Sequence, residues 1–175
     1  TAREGDFACI NMDLIAGLPQ DSVEGFRDSL EEVLALRPEN ITVHTLAMKK
    51  GSRLMEEGGA LPSGEETGRM VDLSLEALEG AGYRPYYLYR QKYMSGGLEN
   101  VSWCLPGTEN HYNIIMMEEL QSVLSLGAGG VTKLVDRSSR RIVRLTNPKY
   151  PHDYLAMSAK VLEQKDEILR FYREV

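Results

Sequence analysis

Residues Ile10 to Pro19 read Ile-Asn-Met-Asp-Leu-Ile-Ala-Gly-Leu-Pro, an apolar strand with a carboxylate at its middle and a Gly-Leu-Pro turn at its end. Few folds accommodate that combination. The two-residue period of a strand sends Ile10, Met12 and Leu14 to one face and Asn11, Asp13 and Ile15 to the other. An ionisable group inside such a run costs free energy unless something pairs with it. Because a helix follows the turn, the stretch reads as one βα unit of a parallel sheet, a fold that binds ligands at the carboxyl ends of its strands. Asp13 is therefore the first candidate functional residue, set against the alternative of a structural carboxylate held by backbone amides or an arginine.

The residues after the turn continue the pattern. Asp21-Ser22-Val23-Glu24 carries an acidic cap and the downstream glutamate of a capping box, and Val23, Phe26, Leu30, Val33 and Leu34 recur at helical spacing. A helix is expected from about Asp21 to Leu36, stopped by Arg37-Pro38. Ile41 to Met48 is rich in β-branched residues and reads as a second strand, parallel to the first because a helix joins them. Within it, His44 has no neighbour at metal-ligand spacing and reads as a hydrogen-bonded structural histidine, while the small Ala47 lets a flat group approach the backbone. An irregular stretch with Gly58-Gly59, Pro62 and Gly64 precedes a second helix from about Glu65 to Glu79, whose apolar side is Met70, Leu73, Leu75 and Leu78. Tyr83 to Arg90 is dense in tyrosine and reads as a strand contributing to core or sheet face.

Beyond Arg90 the texture changes. Gln91 to Asn110, with Gly96-Gly97 and Pro106-Gly107, is expected to be loop or short extended pieces with Ser102-Trp103 exposed. Ile114, Met117, Leu120 and Leu124 fall on one face of a helix that Asn113 can cap, the methionines serving as core filler. Leu126-Gly127-Ala128-Gly129-Gly130 reads as a tight turn or a close approach of backbone; its glycines are misplaced for a dinucleotide fingerprint. Val131 to Asp136 and Arg140 to Thr146 form a hairpin about Asp136-Arg137-Ser138-Ser139, and an amphipathic helix from about His152 to Arg173 closes the chain.

Composition narrows the classes of function. A net charge of -6 without a basic run argues against nucleic acid or anionic lipid as a partner. No apolar run approaches the roughly 20 residues that cross a bilayer, and no basic segment precedes an apolar one near the start, so a cytoplasmic protein is expected. Cys9 and Cys104 match no ligand spacing; both read as small buried thiols, and no metal site or disulfide is expected from this chain alone. The chain opens at Thr1, without a methionine and almost directly into a strand, which suggests a fragment.

Taken together, Asn11 to Pro19, the strand Thr42 to Met48, Gly82-Tyr83 to Lys92 with Leu98-Glu99-Asn100, and Leu126-Gly127-Ala128-Gly129 resemble the oxygen-independent coproporphyrinogen III oxidase family of radical S-adenosylmethionine enzymes. The Tyr-Leu-Tyr-Arg-Gln-Lys segment and the Tyr-Asn-x3-Met-Glu-Glu run are most similar to its coproporphyrinogen dehydrogenase-like branch. The resemblance implies an α/β fold: the last two βα units of a partial (β/α) barrel over residues 1–82, then a mixed α+β C-terminal region over 83–175 packed with it as one unit. It implies that the chain is the C-terminal half of such an enzyme. The family's C-x3-C-x2-C loop, which carries a 4Fe–4S cluster, is absent from this sequence, so the piece is expected to be inactive alone.

By the same resemblance, Asp13 matches the aspartate that hydrogen-bonds the ribose of S-adenosylmethionine, Ala47 a small residue whose backbone meets the adenine, and Val131 an aliphatic cofactor contact. Leu46 stands where some relatives have an aromatic residue. The implied chemistry is reductive cleavage of S-adenosylmethionine, hydrogen abstraction from the propionates of coproporphyrinogen III and decarboxylation to vinyl groups, with the protein positioning the reactants. Arg90 and Lys92 are the candidate cations for the carboxylates of that porphyrinogen substrate. The implied partners are the substrate and the missing N-terminal half of the barrel, with self-association where strand edges are left open. An alternative within the superfamily is a haem-binding or haem-trafficking protein, with His44, His111 and Tyr112 as possible axial ligands. A third reading is a protein that uses this fold to bind another adenosine-containing ligand.

Overall fold

The computed structural model describes residues 2–48, 53–54, 60–90 and 97–173. They form two compact units, 1–110 and 111–175. The boundary expected after residue 82 falls inside the first of these, because the strands that follow it complete the sheet that the N-terminal residues begin.

The first unit is built on β1 (Asn11–Ala16), α1 (Val23–Leu36), β2 (Asn40–Thr45), α2 (Gly64–Gly80), β3 (Arg84–Tyr89) and β4 (Asn100–Cys104). Its sheet runs in the order β1-β2-β4-β3. β1 and β2 are parallel, with Asp13 opposite Thr42 and Ile15 opposite His44. β4 is antiparallel to β2 and to β3, with Thr42 opposite Ser102 and Tyr89 opposite Asn100. The paired β1-α1-β2 unit is thus as expected, whereas β4 is a central strand in a region expected to be mostly loop. Its Ser102 and Trp103 are buried, not exposed.

Two helices cover one face of the sheet. Phe26, Leu30 and Val33 of α1 and Met70 and Leu78 of α2 share a core with Ala16, Ile41, Val43, Tyr83 and Trp103, and Met12 and Leu14 pack against it. A buried side chain of this size is worth about 1.5–3 kcal/mol relative to exposure. The cap of α1 is Ser22, whose hydroxyl accepts from Gly25 N, so the capping box anticipated around Asp21 is not made there. It is made at α2, where Ser63 and Glu66 satisfy each other's backbone amides. Arg37 ends α1 in the left-handed region at φ 48°.

The second unit contains α3 (His111–Met117), β5 (Val131–Asp136), β6 (Arg141–Thr146), α4 (Pro151–Ala156) and α5 (Ser158–Arg173). The hairpin β5-β6 stands where the sequence placed it. α3 is shorter than anticipated: Glu119 turns left-handed at φ 52°, and Val123 then bridges Lys133, so this stretch joins the hairpin instead. The closing helix is two helices, broken at Met157. The glycine run is a turn in which Gly127 and Gly129 take φ of 89° and 71°, and Asn147 Nδ2 donates to Gly127 O at 2.8 Å. The unit's small core is Leu134, Leu145 and Phe171.

Candidate functional site

Because successive strand residues alternate sides, the face of the first sheet opposite α1 and α2 is made by Asn11, Asp13, Ile15, Thr42, His44 and Ser102, with Tyr87 and Tyr89 from β3. All but Ile15 carry a polar group. The row is buried at Thr42 and Ser102 in the middle of the sheet and opens to solvent toward β1, where the Asp13 side chain is half-exposed.

Asp13 sits on this face with its side chain 57% exposed. Asn11 Nδ2 donates to its Oδ1 at 2.6 Å. Its Oδ2 lies 3.7 Å from His44 Nε2, beyond hydrogen-bond distance. The far side of the imidazole is fixed, since His44 Nδ1 is 3.0 Å from the Tyr89 hydroxyl and the two rings meet edge to face. This contact sets the orientation of the ring, with its Nε2 edge toward the Asp13 carboxylate. His44 is thus a hydrogen-bonded histidine, and Asp13 has no arginine partner among the described residues. Thr42 donates to Asn11 Oδ1 at 3.1 Å and meets Ser102 Oγ at 2.6 Å. One continuous set of contacts therefore runs from Ser102 through Thr42 and Asn11 to Asp13, and from Tyr89 to His44 beside it.

The other sequence candidates are dispersed. Ala47 follows β2 and is half-buried, with the neighbouring Leu46 N still bonded to Ala16 O at 2.9 Å, so the parallel ladder continues past the end of β2. Val131 opens β5 in the second unit and is exposed. Arg90 pairs with Glu99 at 2.8 Å on the surface. Lys92 lies outside the described residues. His111 and Tyr112 begin α3, both exposed. Cys9 is exposed, not buried, and Asn40 Nδ2 approaches its Sγ at 3.3 Å. Cys104 is buried at the end of β4, and burial pushes its thiol up to about 11; burial raises Cys9 as well, helped by the Glu39 carboxylate. Among the described residues no three His, Cys, Asp or Glu side chains are grouped to hold a metal ion.

Sequence reasoning overlooked Thr42, Ser102 and Tyr89. A faint signal was available: Asn100, Ser102 and Cys104 alternate with Val101 and Trp103, the period of a strand with one polar edge.

The first unit is thus an α/β sheet with a half-exposed carboxylate among polar side chains on the face away from its helices. The resemblance to the oxygen-independent coproporphyrinogen III oxidases is borne out. The chain is 40% identical over 176 residues, 99% of its own length and 34% of the relative's, to the oxygen-independent coproporphyrinogen-III oxidase-like protein HemZ of Bacillus subtilis. It is 34% identical over 87 residues, 47% of the chain and 19% of the relative, to the oxygen-independent coproporphyrinogen III oxidase of Pseudomonas aeruginosa. The heme chaperone HemW of Escherichia coli is 22% identical over 158 residues, 90% of the chain and 38% of the relative. Among solved structures, the Escherichia coli coproporphyrinogen III oxidase HemN, described as a radical SAM enzyme, shares the fold with a TM-score of 0.60 at 19% identity, over 85% of this chain and 33% of that one. No family model matches. The chain spans about a third of the length of the HemZ relative. No described helix is long and apolar enough to cross a membrane.

Proposed function

We propose that this chain is the C-terminal, cofactor-facing part of a radical S-adenosylmethionine enzyme that converts coproporphyrinogen III to protoporphyrinogen IX by anaerobic oxidative decarboxylation in haem biosynthesis. The observation that carries the reading is the Asp13 carboxylate, an acceptor on the open face with one oxygen held by Asn11 and the other not hydrogen-bonded to its neighbour His44. An acceptor-only group suits the paired hydroxyls of a ribose. In this reading β1-α1-β2-α2 supplies the closing strands of a partial barrel whose interior is the polar face, and the remainder of the barrel belongs to the rest of the protein.

When bound, S-adenosylmethionine and a reduced 4Fe–4S cluster supply hydrogen-atom abstraction from the substrate's propionate side chains. The residues of this chain bind and orient. Asp13 takes the ribose hydroxyls, and the backbone at Ala47 offers a shallow seat for the adenine. Arg90, by exchanging Glu99 for a substrate carboxylate, and Lys92 are the proposed porphyrinogen contacts. Cluster ligands must come from outside this chain, so the isolated piece is inactive in this reading. The test is calorimetric titration of the full-length protein with S-adenosylmethionine: Asp13→Asn is expected to weaken binding about tenfold or more, the worth of a hydrogen bond to a charged group. Unchanged affinity refutes the assignment.

The likeness to a heme chaperone supports a second reading, haem binding through His111 and Tyr112 at the exposed start of α3. A Soret shift on adding haemin that disappears in His111→Ala selects it; no shift at micromolar haemin rejects it.

A further inference from the structure

We infer that Asn11, Thr42 and Ser102 form a positioning relay that aims the Asp13 carboxylate at the ribose hydroxyls of its ligand. The inference rests on the ribose reading of Asp13 and adds residues to which the resemblance assigns no role.

The direction of every bond in the relay follows from proton counting. Thr42 has one hydroxyl hydrogen and gives it to Asn11 Oδ1 at 3.1 Å, so in the 2.6 Å contact between Thr42 and Ser102 the serine is the donor. With its oxygen facing Thr42, the Asn11 amide must present Nδ2 to Asp13, as its 2.6 Å contact with Oδ1 requires. A flipped amide would set an oxygen against the carboxylate. All three bonds therefore donate toward Asp13, the arrangement in which each polarises the next. Thr42 and Ser102 are 3% and 0% exposed, so water does not readily replace either hydroxyl. The relay spans three strands, Ser102 on β4, Thr42 on β2 and Asn11 with Asp13 on β1, and ties the edge strand's carboxylate to the middle of the sheet. By occupying Oδ1, it leaves the Oδ2 side for the ligand.

The test measures binding of S-adenosylmethionine, and of its analogue lacking both ribose hydroxyls, to the full-length protein by calorimetry. Thr42→Val keeps the shape and strand preference but removes the hydroxyl. It is expected to weaken S-adenosylmethionine about two- to tenfold, the range of one neutral hydrogen bond, and to leave the analogue unchanged. Thr42→Ser restores the affinity, and Thr42→Val added to Asp13→Asn costs nothing further. Ser102→Ala, one step further back, gives a smaller loss in the same direction and serves if Thr42→Val does not fold. Wild-type affinity in both variants, or equal weakening of both ligands, overturns the relay while Asp13→Asn still supports the ribose reading. An Asp13→Asn protein that binds S-adenosylmethionine normally overturns the ribose reading itself, and the relay with it.

Discussion

Asp136 shows how far one turn can move a carboxyl group. At the end of β5 its Oδ2 accepts from the Ser139 hydroxyl, and its Oδ1 accepts from the Ser138 hydroxyl at 2.7 Å and the Ser138 amide at 2.9 Å. These donors, Ser139 first, hold the pKa at about 2, below the ordinary 3.8. A depressed folded-state pKa contributes stability that is complete above the unfolded value and disappears as pH falls through the folded one. The stability difference between the wild type and Asp136→Asn is therefore expected to be constant above pH 3.8 and to shrink as the pH is lowered toward about 2. Thermal unfolding of the two proteins across that window, followed by circular dichroism, checks it. The hairpin turn was legible because Asp-Arg-Ser-Ser between two β-branched runs is local chemistry. The hydroxyls behind Asn11, the partner of Asp13, were not, because Thr42 and Ser102 stand 60 residues apart and meet only through strand pairing.

Elements with sustained periodicity declared themselves: β1, α1, β2 and α2 fall within a few residues of their expected positions. β4 did not. It has five residues between a glycine-rich stretch and Pro106-Gly107, and one aliphatic, Val101, so nothing in its composition outweighs its flanks. Tertiary pairing with β2 on one side and β3 on the other makes it a strand. Trp103 anchors it, 3% exposed and facing the helices. Trp103→Ala is expected to cost about 3–5 kcal/mol, read from urea unfolding, as for other large aromatic side chains removed from a core. Truncating the exposed Leu88 on neighbouring β3 should change stability by about 0.5 kcal/mol or less. α3 and the closing helix differ from expectation for a related reason, since helical spacing alone does not register the left-handed Glu119 or the break at Met157.

For the whole chain, the order β1-β2-β4-β3 leaves β1 at a sheet margin, pairing with one strand among the described residues. Exposed Ile15 lies on it. We propose that this margin is where the rest of a barrel attaches, and that without it copies of the chain associate there. Sedimentation velocity is expected to show a concentration-dependent species larger than one chain, diminished in Ile15→Lys; a monomer at all concentrations refutes it. The two sides of the sheet also divide the labour between adjacent residues. On β1 the even-numbered Met12 and Leu14 pack on the helices while the odd-numbered Asn11 and Asp13 face outward, and on β2 the parity reverses. Packing and the chemistry of the outward face can therefore be altered by separate substitutions at neighbouring positions. An engineer could harden this protein through Met12 without changing the polar row that holds Asp13.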